Sequence, residues 1–278
     1  MNEAQEIERS IIKKFRKTIW SPFVQSIKKY DLIREGDKIA VCISGGKDSF
    51  LLAKCMQEIA RHGQFAFELE FIVMDPGYAE KNRLLIEENS ARLGVPVKVF
   101  KSDIFEVVST VGGGSPCYLC ARMRRGYLYE FAKKLGCNKI ALGHHFDDAV
   151  ETTLLSMFYG AEIKTMLPKL KSTSHAGMEL IRPLYAVRES DVKAWASYHK
   201  LTFLNCACRF TERVENKEEE SKRKEMKQLL GELKRINPEA DANVFRALHN
   251  VCMDGVIGWR KNGERYSFLD VYDENEKK

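Results

Sequence analysis

Apolar residues recur at helical spacing over residues 6–30, at Ile7, Ile11, Ile12, Phe15 and Ile19, with Pro22 placed to interrupt or restart the helix. The pattern then changes. "REGDKIAVCISGG" reads as a turn followed by a short apolar strand over 38–43 that ends in glycines. A helix over 48–61 follows, with Leu51, Leu52, Cys55, Met56 and Ile59 on its buried face. The alternation continues with a strand at 67–75, a helix at 80–94 closed by Gly94, and a strand at 95–103. A helix at 124–136, a strand at 138–145 and a helix at 147–160 complete it. Asp147 and Asp148 open the last helix, and one of them is placed to be its N-cap.

This alternation predicts an α/β fold, a parallel sheet flanked by helices on both faces. Residues 161–210 read as irregular structure with a short helix at 189–200 and one more strand, "LTFLN". Residues 216–250 read as helical, and the tail from 251 is mixed. The chain is thus expected to comprise a helical arm (1–37), an α/β body (38–210) and a mostly helical C-terminal extension (211–278).

Parallel sheets of this kind bind ligands outside the carboxyl ends of their strands. Two strand ends carry candidate chemistry, "ISGGKDS" (43–49) and "GHHFDD" (143–148), and both can reach one crevice. In the first, Ser44, Gly45 and Gly46 let backbone N–H groups approach an anion, and the helix start adds partial positive charge. Ser44 and Ser49 can donate to phosphate oxygens, with Lys47 between them. Asp48 can hold Mg²⁺, orient a neighbour, or simply cap the helix. The string is neither a Walker A loop nor G-x-G-x-x-G. In the second, Gly143 permits close backbone approach. His144 and His145 could bind phosphate or metal, or serve as hydrogen-bonded structural groups.

Composition adds modest limits. Hydrophobic content of 44% and charged content of 30% suit a soluble globular protein, and a net charge of +6 slightly favours a nucleic-acid partner. No apolar run approaches the roughly 18–20 residues of a membrane span. "MNEAQEIERSIIKKFRK" lacks the apolar core of a secretory signal, so a cytoplasmic setting with reduced thiols is expected. The basic, Glu-interleaved run "SKRKEMK" (221–227) reads equally as a solvated helix with i,i+4 pairs or as an RNA contact.

Reduced thiols direct attention to the eight cysteines. Cys42, Cys55 and Cys137 lie in or beside apolar elements and read as buried small hydrophobes. Cys117, Cys120, Cys206 and Cys208 stand in polar or Gly/Pro-flanked segments, and Arg122, Arg124 and Arg125 follow the first pair. Cys117-x-x-Cys120 could be half of a zinc site, a redox dithiol or part of an iron–sulfur site. The chain has no second C-x-x-C for zinc, and this one lies late for a thioredoxin-type dithiol. Ligation by three cysteines would leave one metal position open for chemistry.

"SGGKDS" resembles the pyrophosphate loop of the N-type ATP pyrophosphatases, the PP-loop superfamily. "PCYLCARMRRGYLY", "IALGHHFDDAVETTLLSMFYG" and "LIRPLYAVRESDV" extend the resemblance, over roughly residues 10–250, to the tRNA 2-thiocytidine synthetases. The resemblance implies an adenine nucleotide alpha hydrolase-like fold. It implies ATP at Ser44, Gly45, Gly46, Lys47, Asp48 and Ser49, with Gly143 and His144 alongside and Mg²⁺ near the phosphates. It places adenine around Val73 to Asp75, Arg182 near the site, and an acid/base or Mg²⁺ group at Asp147 or Asp148.

It further implies a [4Fe–4S] cluster on Cys117, Cys120 and a third cysteine, with one iron free to carry sulfide. Relatives take that third ligand from a Cys-x-x-Cys, whereas this chain has "NCAC". Cys206 follows the predicted strand and is the expected ligand, with Cys208 the alternative. Arg124 stands where related thiolases place a basic catalytic residue; Arg122 and Arg125 read as RNA contacts or solvated charges. The implied reaction adenylates cytosine O2 in the anticodon loop of tRNA and replaces that oxygen with sulfur, releasing AMP and pyrophosphate. The sulfur source implied is a cysteine desulfurase or free sulfide, and relatives are commonly homodimers. Rival readings keep the chemistry but change the substrate to another tRNA base or a small molecule, or make the chain a non-catalytic iron–sulfur RNA-binding protein.

Overall fold

The computed structural model describes residues 2–63, 65–102, 116–204 and 217–272, apart from the side chains of 116–122, 217–221 and 271. Its main sheet has six strands in the order β3-β2-β1-β4-β6-β5. β1 (Lys38–Ile43), β2 (Glu68–Asp75) and β3 (Val97–Lys101) run parallel to one side. β4 (Lys139–Ala141) and β6 (Glu179–Ile181) continue in parallel on the other side, and β5 (Lys169–Lys171) closes that edge antiparallel. Winding therefore reverses between β1 and β4, which opens a crevice beyond their carboxyl ends.

β1 shows why a continuous apolar run becomes a central strand. Ile39, Val41 and Ile43 enter the core on one face, while Ala40 and Cys42 enter the core on the other. The first face is covered by α1 (Glu3–Ile12), α2 (Ser21–Lys29), α3 (Lys47–His62), α4 (Glu80–Leu93) and α7 (Glu189–Tyr198). α5 (Pro116–Lys134) covers the second with Tyr129 and Ala132. α6 (Phe146–Gly160) packs through Val150 and Leu154 against Met226 and Leu230 of α8 (Lys217–Ile236). α9 (Ala240–Ala247) adds Phe245 to that cluster. The tail forms a hairpin, β7 (Gly258–Lys261) with β8 (Glu264–Ser267), and a short α10 (Leu269–Tyr272).

Two buried lysines tie the arm to the body. Lys54, 2% exposed, donates to Glu8 of α1 (2.9 Å), Gln57 and the Leu93 carbonyl. Lys139 pairs with Asp37 (2.7 Å) and donates to the Leu32 carbonyl. A buried ammonium is tolerable only with such partners, and Lys139 has a second carboxylate, Glu179, at 3.5 Å.

The observed elements refine the expectations. Pro22 restarts the chain as α2 after a π-helical turn at Arg16–Trp20, and Gly94 closes α4 at φ +63°. α5 begins at Pro116, eight residues earlier than expected, so Cys117 and Cys120 stand in its first turns rather than in a loop. Proline is well placed at a helix start, where its missing N–H costs nothing. The expected strand at "LTFLN" is irregular over Leu201–Leu204, with Phe203 and Leu204 packed on the core; Asn205 lies outside the described residues. β5 and β6 went unread because three residues are too few to show a period. Neither Asp147 nor Asp148 is the N-cap of α6. His145 holds that position, and Asp148 accepts its backbone N–H at 2.9 Å.

Candidate functional site

A cleft of about 830 Å³ opens beyond the carboxyl ends of β1 and β4. Its floor is the turn from β1 into α3. Gly45 adopts φ +86°, and a Cβ there would stand 2.7 Å from Leu204 Cδ1 and 2.9 Å from Ile86 Cγ1. Only glycine serves at this position, for conformation and for space alike. Ser49 closes the turn: its Oγ donates to the Gly46 carbonyl (2.8 Å) and accepts from the Ser44 N–H (3.2 Å). Gly46 is the N-cap of α3, so the helix's first N–H groups point toward the cleft.

Gly143, after β4, meets that turn. A Cβ on Gly143 would lie 3.0 Å from the Asp48 carbonyl carbon and the Ser49 nitrogen. Those atoms are backbone and cannot swing away. The two motifs that looked separate in sequence are therefore in main-chain contact.

Charged groups surround this contact. Lys47 Nζ lies 3.1 Å from Asp48 Oδ2 and 3.2 Å from Glu189 Oε1. His145 Nε2 stands 3.8 Å from Asp48 Oδ1, too far for a hydrogen bond, and Asp48 Oδ1 is buried without a hydrogen-bond partner among the described residues. Among the described residues His144 Nδ1 is likewise buried without a hydrogen-bond partner, and His145 Nδ1 stands 3.4 Å from Asp148 Oδ2 and 3.7 Å from Asp147 Oδ2. Burial pushes His144 down to about 4, against the opposing pull of Asp148, so it is neutral at pH 7. Burial also lowers Arg182 to about 10, which leaves it charged; its Nε is unpartnered while Nη1 donates to the Leu167 carbonyl. For Glu189 the upward push of burial is outweighed by Lys193, Lys227 and Lys47, which bring it to about 2. Burial raises the Glu151 carboxyl, and Lys227 only partly offsets this.

Most sequence-nominated residues meet here. Ser44, Lys47, Asp48, Ser49, Arg124, Gly143, His144, Asp148 and Arg182 line the cleft, with Gly45 and Gly46 in the turn beneath. Asp147 is engaged elsewhere, accepting the Glu189 N–H at 2.7 Å and so anchoring α7. On β2 the cleft is lined by Met74; the Val73 side chain belongs to the core. Asp75 Oδ1 accepts from Gly77 N–H and Tyr78 N–H and holds the following turn.

Cys117 and Cys120 precede Arg124 by seven and four residues on the same helix, about 10 and 6 Å along its axis. Cys206 and Cys208 lie outside the described residues. Leu204, the last described residue before them, donates its N–H to the Gly45 carbonyl at 3.1 Å. Cys42, Cys55 and Cys137 are buried free thiols, and burial raises all three.

Sequence reasoning did not single out five charged wall residues. Glu151 and Glu189 sit inside quoted motifs, yet no spacing distinguished them from surface acids. Arg223, Lys224 and Lys227 come from "SKRKEMK", and only the α6–α8 packing brings that run to the cleft.

The profile of the PP-loop domain family matches residues 12–217. The tRNA-cytidine(32) 2-sulfurtransferase of Chromohalobacter salexigens is 34% identical over 256 residues, covering 90% of this chain and 87% of the relative. The protein of the same name from Alkalilimnicola ehrlichii is 37% identical over 231 residues, covering 81% and 70%. Among solved structures, the U34-tRNA thiolase NcsA of Methanococcus maripaludis, determined with its [4Fe–4S] cluster, superposes with a TM-score of 0.66 at 20% identity. That superposition covers 87% of this chain and 80% of NcsA, and at this identity it speaks to fold.

Proposed function

This chain belongs to the family of tRNA-cytidine(32) 2-sulfurtransferases with a PP-loop domain, and we propose that it thiolates cytidine 32 of tRNA at the expense of ATP. The observation that carries the reading is the main-chain contact between the Ser44–Ser49 turn and Gly143 at the β1/β4 reversal. It builds a cradle for an anion at a helix start, and glycine at both places keeps that cradle open.

In this reading the α3 N-terminus, Ser44, Ser49 and Lys47 hold the β- and γ-phosphates. Mg²⁺ fits beside Asp48, whose buried Oδ1 has no hydrogen-bond partner. Adenine lies toward the end of β2, where Met74 offers an apolar wall. Cytosine O2 attacks the α-phosphorus, the bond to the bridging oxygen breaks, and pyrophosphate departs. Arg124 and Arg182 line the cleft and offset the negative charge that develops. Neutral His144 can accept a hydrogen bond or a proton, and Asp148 orients His145 through its backbone N–H. Sulfide then attacks C2 of the base and displaces AMP without any change of oxidation state. The base must leave its stack to reach the turn.

Two observations support a [4Fe–4S] cluster beside the cleft: α5 carries Cys117 and Cys120 within two turns of Arg124, and Leu204, two residues before Cys206, bonds Gly45. Cys117, Cys120 and Cys206, with Cys208 as alternative, would hold it, and when bound the cluster supplies the sulfur atom. A cysteine desulfurase or free sulfide would recharge it, in the cytoplasm, where tRNA is found and thiols stay reduced. Nucleoside mass spectrometry of tRNA from a strain lacking the gene tests the reading. 2-Thiocytidine should vanish and return on complementation; persistence of 2-thiocytidine, or loss of a thiouridine instead, would overturn the substrate assignment.

A further inference from the structure

Seven basic side chains line the cleft (Lys47, Arg124, Arg125, Arg182, Arg223, Lys224 and Lys227) against four carboxylates (Asp48, Asp148, Glu151 and Glu189). Three of the seven come from α8. Without them the wall would hold four charges of each sign, so the positive excess of the cleft is brought by α8. Residues 223–227 also lie beyond the stretch that matches the PP-loop domain profile, which ends at 217.

Two of the three α8 cations, Arg223 and Lys227, rest on carboxylates of the cleft itself. Lys227 Nζ lies 3.5 Å from Glu151 Oε1 and 3.5 Å from Glu189 Oε2, and Arg223 Nη1 lies 3.6 Å from Asp148 Oδ1. These are long contacts with half-exposed cations, 49% and 47%, and such pairs are weak. Glu189 holds Lys47 of the phosphate turn on its other oxygen, at 3.2 Å. Lys227 and Lys47 thus face each other across one carboxylate.

We propose that Arg223, Lys224 and Lys227 form a second phosphate subsite, which engages the β,γ end of ATP opposite the Ser44–Ser49 turn. The inference rests on the ATP-dependent reading above. α8 is held in reach by Met226 and Leu230 packing on α6, so the cations need only change rotamer, not helix position. Incoming phosphate oxygens form shorter, charge-assisted bonds and take the place of the 3.5 Å carboxylate contacts. The same groups stabilise the charge that builds on the departing pyrophosphate. The sharing of Glu189 with Lys47 favours nucleotide phosphate over tRNA backbone as the ligand.

The test is calorimetric titration of the anaerobically purified holoprotein with α,β-methylene-ATP plus Mg²⁺ and, separately, with AMP. Combined Arg223→Ala and Lys227→Ala should weaken the triphosphate analogue by about tenfold or more while moving AMP by less than about threefold. Since Lys227→Ala strands the buried Glu151, a Glu151→Gln/Lys227→Met pair removes the charge and keeps the packing, and should show the same selective loss. An unchanged analogue affinity, or equal losses for analogue and AMP, would overturn the subsite. So would weakened tRNA binding with analogue affinity intact, which would assign these residues to the RNA. A wild-type protein that fails to bind the analogue at all overturns the ATP reading and the subsite with it.

Discussion

The two walls of the cleft are built on different principles. The sheet-borne wall, Ser44–Ser49 and Gly143, is fixed by main chain: glycines with no room for a Cβ and a serine that closes its own turn. The helix-borne wall, from α5 and α8, reaches the same space with long side chains, and on α8 these are half-exposed cations on long ion pairs. Atoms that must sit within a few tenths of an ångström are placed by strand ends and turns. Charges that need only be near are placed by helices.

The walls should therefore fail independently. The largest effect separates them at once. Cys117→Ala and Cys120→Ala should each strip the iron and abolish thiolation, yet leave binding of α,β-methylene-ATP within about threefold of wild type, because they lie on α5 and not in the turn. At the third ligand, Cys206→Ala should lose iron and Cys208→Ala retain it. The reverse pattern in anaerobic iron assays would exchange their roles.

Next in size, Gly143→Ala should lower the rate of pyrophosphate release by about tenfold without changing the iron content. The added methyl at 3.0 Å from Asp48 and Ser49 backbone must displace the cradle slightly, and a shift well short of the roughly 1 Å that costs about a hundredfold costs correspondingly less. A near-wild-type rate would show that the turn tolerates movement, and the contrast between the walls would fail.

A third effect is read through pH. His144 binds a proton near pH 6.5 when the chain is unfolded but only near pH 4 in the fold. Its contribution is present at pH 7 and lost as pH falls from 6.5 through 4, up to roughly 3 kcal/mol. Denaturant titrations at pH 7 and pH 5 should show this slope in wild type and a shallower one in His144→Asn. Equal slopes would mean that the imidazole is not desolvated. The smallest effect is salt. Raising it from about 0.05 to 0.5 M should speed hydrogen exchange in α8 a few-fold and leave β1 amides unmoved, since screening weakens exposed pairs and not a buried ladder.

The same division explains what could be read from sequence. The sheet-borne wall shows itself as contiguous strings, "SGGKDS" and "GHHFDD", because a backbone cradle must be built from neighbours in the chain. Ile39 to Ile43 announce a strand buried on both faces for the same local reason. Lys227, Glu151 and Glu189 meet only through tertiary packing of α6, α7 and α8, so "SKRKEMK" could not be told from a solvated helix. Asp75 shows a local role of a second kind that spacing does not reveal. It stands at a strand end like a ligand, yet both bonds of its Oδ1 go to the following turn. β5 and β6 were too short to carry a period, and the start of α5 was masked by the glycines and proline that precede it.

If one cleft couples ATP cleavage to sulfur insertion, the two must occur in fixed proportion. The direct measurement is the stoichiometry of a purified anaerobic reaction containing holoprotein, tRNA lacking 2-thiocytidine, Mg-ATP and sulfide. One pyrophosphate and one AMP should appear for each 2-thiocytidine formed, and Asp48→Ala should yield none of the three while keeping its iron and its cluster absorbance. Thiolation without ATP cleavage, or an Asp48→Ala variant that retains most of its activity, would contradict the account.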